Sequence, residues 1–311
     1  MNIEKDKVCI LIPTLNEAPT ISDLIREFQS GGYSRIVVMD GNSRDPTREL
    51  AKEAGARVLV QSGKGKGNAL IEAFEAIDAP YILMLDGDGT YLPGDADRML
   101  VPLFEGYDQT IGNRLIPDNQ ASFSRLNLFG NQILNRLFKV AQGVYLYDIL
   151  SGYRGFTRES VRQLHLKEKG FEIETEISAE AVRNNQRVYV VPIRYYKRPG
   201  THTKLNPFHD GLKIMTTIYK LARMNNPMFY FGLIGVIIMI GGIITGIYVL
   251  SEWLRHIDHL PLTVLTVLLV VVGFQIFMFG VISDMLLGYH REVMHEIHLL
   301  YGSKEPYNKE K

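Results

Sequence analysis
Two stretches of this chain carry no charged residue: Met228–Leu250, 23 residues, and Leu262–Ile282, 21 residues. About 20 apolar residues in a helix span the hydrocarbon core of a bilayer, so each stretch has the length and composition of a transmembrane helix. Reading them as buried core helices would need a soluble domain large enough to cover both, and fewer than 30 residues follow the second. Between them, Ser251–Pro261 leaves room only for a turn. The chain is therefore expected to divide into a soluble part (residues 1–205), a juxtamembrane segment (206–225), a two-helix hairpin (226–287) and a tail (288–311).

Basic residues orient the hairpin. Ahead of the first stretch stand Lys197, Arg198, Lys204, Lys213, Lys220 and Arg223 against the single acid Asp210; the turn has only Arg255, beside Glu252 and Asp258. Lys- and Arg-rich flanks stay on the cytoplasmic side, which puts the soluble part and the tail in the cytoplasm. Pro207–Arg223 spaces Phe208, Leu212, Ile214, Met215, Ile218 and Leu221 as a helix does, and reads as a helix lying on an anionic membrane surface. Composition mainly excludes. The 34 basic and 34 acidic residues cancel, so no global field draws nucleic acid. Cys9 is the single cysteine, which leaves no internal disulfide and suits a reducing compartment. The apolar run ending at Pro13 is too brief, and its flank too acidic, for a signal peptide.

From Val8 to about Gln109 short apolar runs alternate with helical stretches. Val8–Ile12, Arg35–Met39, Arg57–Val60 and Tyr81–Leu85 read as strands. Ala18–Gln29 places Ile21, Leu24, Ile25 and Phe28 on one helical face; Pro46–Ala54 begins with Asp45 as cap and proline in the first turn; Ala69–Ile77 is alanine-rich and amphipathic. Repeated strand–helix–strand units predict a mostly parallel sheet with helices on both faces. Ligands of such sheets bind beyond the carboxyl ends of the strands, and all four ends here are polar: Pro13-Thr14-Leu15-Asn16-Glu17, Asp40-Gly41-Asn42-Ser43, Gln61–Asn68, and Asp86-Gly87-Asp88.

The last of these is the most informative. Five uninterrupted apolar residues, Tyr81–Leu85, give way at once to two carboxylates spaced by glycine. An unpaired carboxylate is too costly inside such a strand, so the pair must emerge at its end. Hard oxygen ligands with open positions suit a divalent metal that carries a diphosphate; a solvated acidic turn is the plainer reading. Gly63-Lys64-Gly65-Lys66-Gly67 lacks the spacing of a phosphate loop. It is either a flexible basic turn or, ahead of a helix N-terminus, a place where Lys64 and Lys66 attract a diphosphate.

In order and spacing these four motifs resemble those of family 2 glycosyltransferases, and most closely the dolichyl- or polyprenyl-phosphate hexose synthases, over residues 8–205. The resemblance implies a GT-A fold (an α/β, Rossmann-like domain with a mostly parallel sheet), a nucleotide-sugar donor and Mg²⁺ or Mn²⁺. Carried over residue by residue, Pro13, Asn16 and Glu17 would line the ribose side of the nucleotide and Asp40 would face its base. Asp86 would lie by the ribose and metal, and Asp88 would bind the metal. Where mannose synthases place a metal-binding glutamine, this chain has Thr90.

Gln109–Asn113 reads as a further strand ending at Arg114, and Arg125–Val140 as a helix. Asp148-Ile149-Leu150-Ser151-Gly152-Tyr153-Arg154 resembles the family's acceptor-side motif. Guanidinium forks match phosphate geometry, so Arg114 and Arg154, with Ser151 and more weakly Arg125, are the candidates for an acceptor phosphate. Phe171–Glu176 opens a helix whose acids either complement its dipole or, at Glu174 and Glu176, steer substrate or bind the Lys/Arg network; an anionic acceptor needs no strong base. After a strand over Arg187–Tyr195, Arg198 and Lys204 fall in a stretch resembling the family's diphosphate-neutralising lid. Asp88, Arg114, Arg154 and Lys204 are the expected catalytic set.

The expected activity is inverting transfer of a hexose from a UDP- or GDP-sugar to dolichyl (polyprenyl) phosphate, which makes a lipid-linked monosaccharide for glycan or protein N-glycosylation pathways. The alternative is a membrane-bound transferase of the same fold that extends a lipid-linked glycan or polysaccharide. A processive synthase would need a Gln-x-x-Arg-Trp motif and more spans, and the single tryptophan, Trp253, lies in the turn. A binding-only regulator would need an incomplete site. Gly242-x-x-x-Gly246 could pack the two spans together or join copies into a homo-oligomer.

Overall fold
The computed structural model describes residues 3–197 and 207–302. The chain forms two compact units, Met1–Ile218 and Tyr219–Lys311. In the first, strands β1 (Val8–Thr14), β2 (Arg35–Asp40), β3 (Arg57–Val60), β4 (Tyr81–Met84), β5 (Gln109–Asn113), β6 (Arg154–Thr157) and β7 (Val188–Pro192) make one sheet in the order β3-β2-β1-β4-β6-β5-β7. Interleaved are helices α1 (Ile21–Ser30), α2 (Thr47–Glu53), α3 (Lys66–Ala76), α4 (Ala96–Phe104), α5 (Arg125–Gln142), α6 (Arg158–Arg162) and α7 (Ile173–Arg183). All neighbouring strands run parallel except β6, which is antiparallel to both β4 and β5.

Alternation along β1 explains why the sheet is covered twice. Val8, Ile10 and Ile12 join one apolar cluster with Ile21, Leu24, Ile25 and Phe28 of α1, while Cys9 and Leu11 join another with Leu70, Ala73 and Phe74 of α3 and Ile177 of α7. Every residue of β1 is buried, as expected for a central parallel strand. Burying each large aliphatic side chain there contributes about 1.5–3 kcal/mol.

Element ends differ from expectation by a few residues. Helix α2 starts at Thr47, one residue after Pro46, yet Asp45 Oδ1 still accepts from the Thr47 amide at 3.2 Å. The Gly63–Gly67 turn is packed rather than flexible. Gly67 N donates to Lys169 O at 3.0 Å, and side chains at Gly65 or Gly67 would run into the backbone carbonyls of Lys169 or Glu168. The alternating glycines thus let residues 168–170 lie directly on the turn.

Helix α8 (Pro207–Asn225) starts in the first unit and ends in the second. Its apolar residues divide: Ile214 and Ile218 are buried, whereas Leu212 and Met215 are exposed. The second unit holds α9 (Pro227–Trp253) and α10 (Leu260–Gly302). Pro227–Trp253 and Leu260–Tyr289 are long and apolar enough to cross a membrane. They pack closely because glycine removes side chains at the seam: a Cβ on Gly235 would meet Gly273 O at 2.6 Å, and one on Gly246 would meet Thr266 Cγ2 at 3.1 Å. Gly242 likewise abuts Val270. Gly242 and Gly246 therefore serve the seam within the hairpin, and Thr266 Oγ1 donates to Thr245 Oγ1 across it at 3.1 Å.

Candidate active site
The strand order reverses direction at β1, whose neighbours are β2 on one side and β4 on the other. Crevices form at such a switch point, beyond the carboxyl ends of the strands. Thr14, Asp40, Gln61, Asp86 and Arg114 all emerge on this edge. Because β6 is reversed, its beginning lies there as well: Arg154 pairs in register with Met84 and Ile111.

The loops after β1 and β2 are locked to each other. Asn16, in the left-handed region at φ 52°, donates its amide to Ser43 Oγ at 2.8 Å, and its side-chain oxygen accepts from Arg44 N at 2.8 Å. Asp45 Oδ2 accepts from Ala18 N at 3.2 Å, and Glu17 N donates to Thr47 Oγ1 at 2.9 Å. Pro13 and Glu17 are buried at the base of this arrangement. Asp40 is fully buried. Its Oδ2 accepts from Ser43 N at 2.9 Å and lies 3.6 Å from Arg48 Nε, while Oδ1 has no hydrogen-bond partner among the described residues. An orphaned buried acceptor is costly, and here it stands at a strand end on the ligand-binding edge.

Asp86 and Asp88 emerge from β4 into different surroundings. Lys66, first residue of α3, places Nζ 2.5 Å from Asp86 Oδ1 and 2.5 Å from Glu174 Oε1 of α7. Burial pushes the Lys66 pKa down, but the two carboxylates outweigh it and hold the ammonium well above its ordinary value. Lys64 is exposed. Gly152 lies so close to Asp86 that a Cβ would sit 2.9 Å from its carboxyl carbon. Asp88 Oδ1 accepts from both the amide and the hydroxyl of Thr90, at 3.2 and 2.6 Å. Thr90, the residue in the glutamine position, thus orients Asp88. Tyr91 fixes the opposing loop by accepting from Gly152 N at 3.0 Å.

On the β5 side, Arg114 makes a two-pronged pair with Asp148: Nε to Oδ2 and Nη2 to Oδ1, both at 2.8 Å. Its guanidinium lies 5.3 Å from the ring centre of Tyr195. Burial works against the charge, yet Asp148 dominates and raises the Arg114 pKa further. Arg154 departs from expectation. It is fully buried and donates to Ser151 O (2.9 Å), Ile149 O (2.7 Å) and Ser178 Oγ (3.0 Å). Burial pushes its pKa down to about 10. In this conformation Arg154 holds the loop beside Asp86 from behind, and Ser151, also fully buried, is part of that loop. Arg125, at the start of α5, is exposed. Arg198 and Lys204 lie outside the described residues.

Two pairings in the site are set by tertiary packing rather than by sequence spacing. Asp148 opens the acceptor-side motif, but nothing in its spacing names Arg114 as its mate. Glu174 precedes Ile177 by three residues, and that helical spacing places it on the face turned to the core, where it meets Lys66. Glu176 is tied down separately, accepting from Lys167 N and Glu168 N, each at 2.9 Å.

Comparison with known proteins bears on the fold and the family. The chain is 48% identical over 295 residues to glycosyltransferase AglJ of Haloferax volcanii, covering 94% of this chain and 97% of that one. It is 33% identical over 223 residues to a dolichyl-phosphate hexose transferase of the same organism, covering 70% and 94%. Among solved structures, glucosyl-3-phosphoglycerate synthase of Mycobacterium tuberculosis, crystallised with Mn²⁺ and UDP-glucose, superimposes with a TM-score of 0.56 at 21% identity over 70% of this chain and 78% of that one, which supports the GT-A fold. Residues 9–164 match glycosyl transferase family 2, and with a glycosyltransferase relative along 94% of its length the chain belongs to that family.

Proposed function
We propose that this glycosyltransferase moves a hexose, with inversion, from a nucleoside diphosphate sugar to a polyprenyl (dolichyl-type) phosphate, with its catalytic unit and tail in the cytoplasm. The observation that carries the donor half of this reading is the Asp86-Gly87-Asp88 pair at the switch point, on the same strand-end edge as the orphaned oxygen of Asp40. A base N–H would satisfy Asp40 Oδ1, and the loops locked by Asn16 and Glu17 would hold the ribose. Lys64 and Lys66, with Arg198 and Lys204, would meet the diphosphate. The acceptor half is supported by the name of the hexose transferase relative, by the two apolar helices, and by Arg114 at the same edge.

Among the described residues no group of three His, Cys, Asp or Glu side chains is placed to hold a metal. Asp86 and Asp88 alone supply hard oxygens, which fits Mg²⁺ or Mn²⁺ completing its shell with diphosphate and water oxygens. Such an ion would neutralise charge on the departing diphosphate. The chain's own residues position the reactants. Arg114, fixed by Asp148, would orient the acceptor phosphate, one oxygen of which bonds to the anomeric carbon as the bond from that carbon to the diphosphate oxygen breaks on the opposite face. The nucleoside diphosphate leaves with the electron pair. No proton need be removed from an anionic acceptor, consistent with Glu174 being paired to Lys66 and Glu176 being held by backbone amides.

The test supplies purified enzyme with dolichyl phosphate, Mg²⁺ or Mn²⁺ and each labelled UDP- or GDP-sugar in turn. Label in a polar lipid that mild acid releases is the expected result. Label that enters only a pre-formed glycan would overturn the acceptor assignment in favour of chain extension.

A further inference from the structure
Arg114 is held by two kinds of contact, and only one of them neutralises it. Asp148 takes the edge of the guanidinium, at Nε and Nη2, each 2.8 Å away. Aromatic rings take the face: the Tyr195 ring centre lies 5.3 Å from the guanidinium carbon and that of Phe123 lies 5.9 Å from it. These two rings are stacked on each other, 5.0 Å apart and tilted by 15°. A ring face attracts a guanidinium through its quadrupole and carries no net charge. It therefore fixes the cation without cancelling the charge that an anionic ligand would feel, which a second carboxylate would do.

Tyr195 is itself tied to the turn that follows Asp88. Tyr91 and Tyr195 form an antiparallel bridge, and Tyr196 N donates to Thr90 O at 2.9 Å. The rings of Tyr91 and Tyr195 meet edge to face at 5.2 Å. Thr90 is the residue whose amide and hydroxyl hold Asp88 Oδ1. From the other side, buried Asn119 accepts from Tyr195 N at 3.1 Å and donates to Arg114 O at 2.9 Å, and Ser122 Oγ donates to Tyr195 O at 2.8 Å. Tyr195 is thus pinned at its amide, its carbonyl and its ring. Burial raises the pKa of its phenol, the Arg114 charge opposes that rise, and the Asp88 charge adds to it. One side chain feels both the acceptor-side arginine and the proposed metal carboxylate.

We propose that Tyr195 is a positioning residue for use of the acceptor, its ring holding the face of the Arg114 guanidinium while its backbone ties that arginine to the Thr90–Tyr91 segment behind Asp88. The proposal rests on the reading that Arg114 orients the acceptor phosphate and that Asp88 meets the metal. Tyr195 acts through Arg114 and not on a reacting atom. Loss of the ring frees the guanidinium to tilt about its Asp148 edge, so it should weaken capture of the acceptor and leave capture of the donor nearly unchanged.

The test measures label transfer to dolichyl phosphate by the full-length enzyme with Mn²⁺, varying donor and acceptor separately. Tyr195→Leu removes the ring and should raise the acceptor KM about tenfold, the size of a desolvated cation–π contact, with the donor KM changed less than about twofold. Tyr195→Phe keeps the ring and should return the acceptor KM to within about twofold of wild type. An unchanged acceptor KM in folded Tyr195→Leu, with the wild type active, would end the proposal and leave the function standing. Donor and acceptor KM rising together, with no rescue by Tyr195→Phe, would mark a general loosening of the site and would also end it. Should Tyr195→Leu not fold, Phe123→Leu takes its place: it removes the farther ring and should raise the acceptor KM about threefold, and no rise ends the proposal. A wild type that moves no label onto dolichyl phosphate sinks the function reading, and the proposal with it.

Discussion
At Asp88 the chemistry depends on one carboxylate held by its neighbour two residues along. With Thr90 fixing Oδ1, replacing Asp88 with alanine removes a hard oxygen from the proposed metal position and leaves the sheet untouched. On the function proposed above, Asp88→Ala should lower transfer about a hundredfold or more, with an unchanged circular-dichroism spectrum. Asp148 is a different case, because its partner is buried with it. Asp148→Asn leaves the Arg114 guanidinium without a compensating charge, and the loss of a buried partner costs about 3–5 kcal/mol. A fall in unfolding free energy of that size in denaturant titrations is expected. Cys9 gives a pH prediction. Burial raises its thiol to about 11, so at pH 8 only about one native molecule in a thousand carries the reactive thiolate. Maleimide should label Cys9 slowly in native protein and rapidly in denaturant.

Elements were legible where a single local signal dominated. The apolar runs of β1, β2 and β4 stand out because central strands are buried on both faces, and Arg57–Val60 and Gln109–Asn113 have the bounds their sequence suggests. Strand β6 does not stand out: four residues, one of them arginine, resemble a loop, and only pairing on both sides makes them a strand. Helix α4 was hidden by Pro102 within it. The motif residues of the site were legible as polar strand ends. Its ion pairs were not, since Lys66 and Glu174 meet only through tertiary packing. In α5, Gly130 faces open space and has no turn to make. Gly130→Ala should therefore raise stability by about 0.5–1 kcal/mol, seen as a higher thermal midpoint with activity retained.

For the molecule as a whole, the two units are held together by different physics. Oil–water partition drives the sheet domain, whereas the hairpin relies on close backbone approach where lipid offers no hydrophobic gain. Gly235 is the tightest point of that approach, with Gly273 O and Phe277 N at 2.6 and 2.7 Å from where a Cβ would be. Gly235→Val should separate α9 from α10, and cysteines introduced in pairs across the seam should lose their cross-linking yield while the catalytic unit keeps its melting behaviour.

The Lys66 ammonium ties together the start of α3, the end of β4 and the first turn of α7, three segments of which the last lies more than a hundred residues along the chain. During synthesis on the ribosome, the first half of the domain can pair its parallel strands early, yet Lys66 has only Asp86 to bind until α7 has emerged. Assembly of the site thus awaits a late-made helix beyond residues 9–164, the stretch that matches the family. A nascent chain arrested before α7 would carry all four polar strand-end motifs and still lack the contact between Lys66 and Glu174.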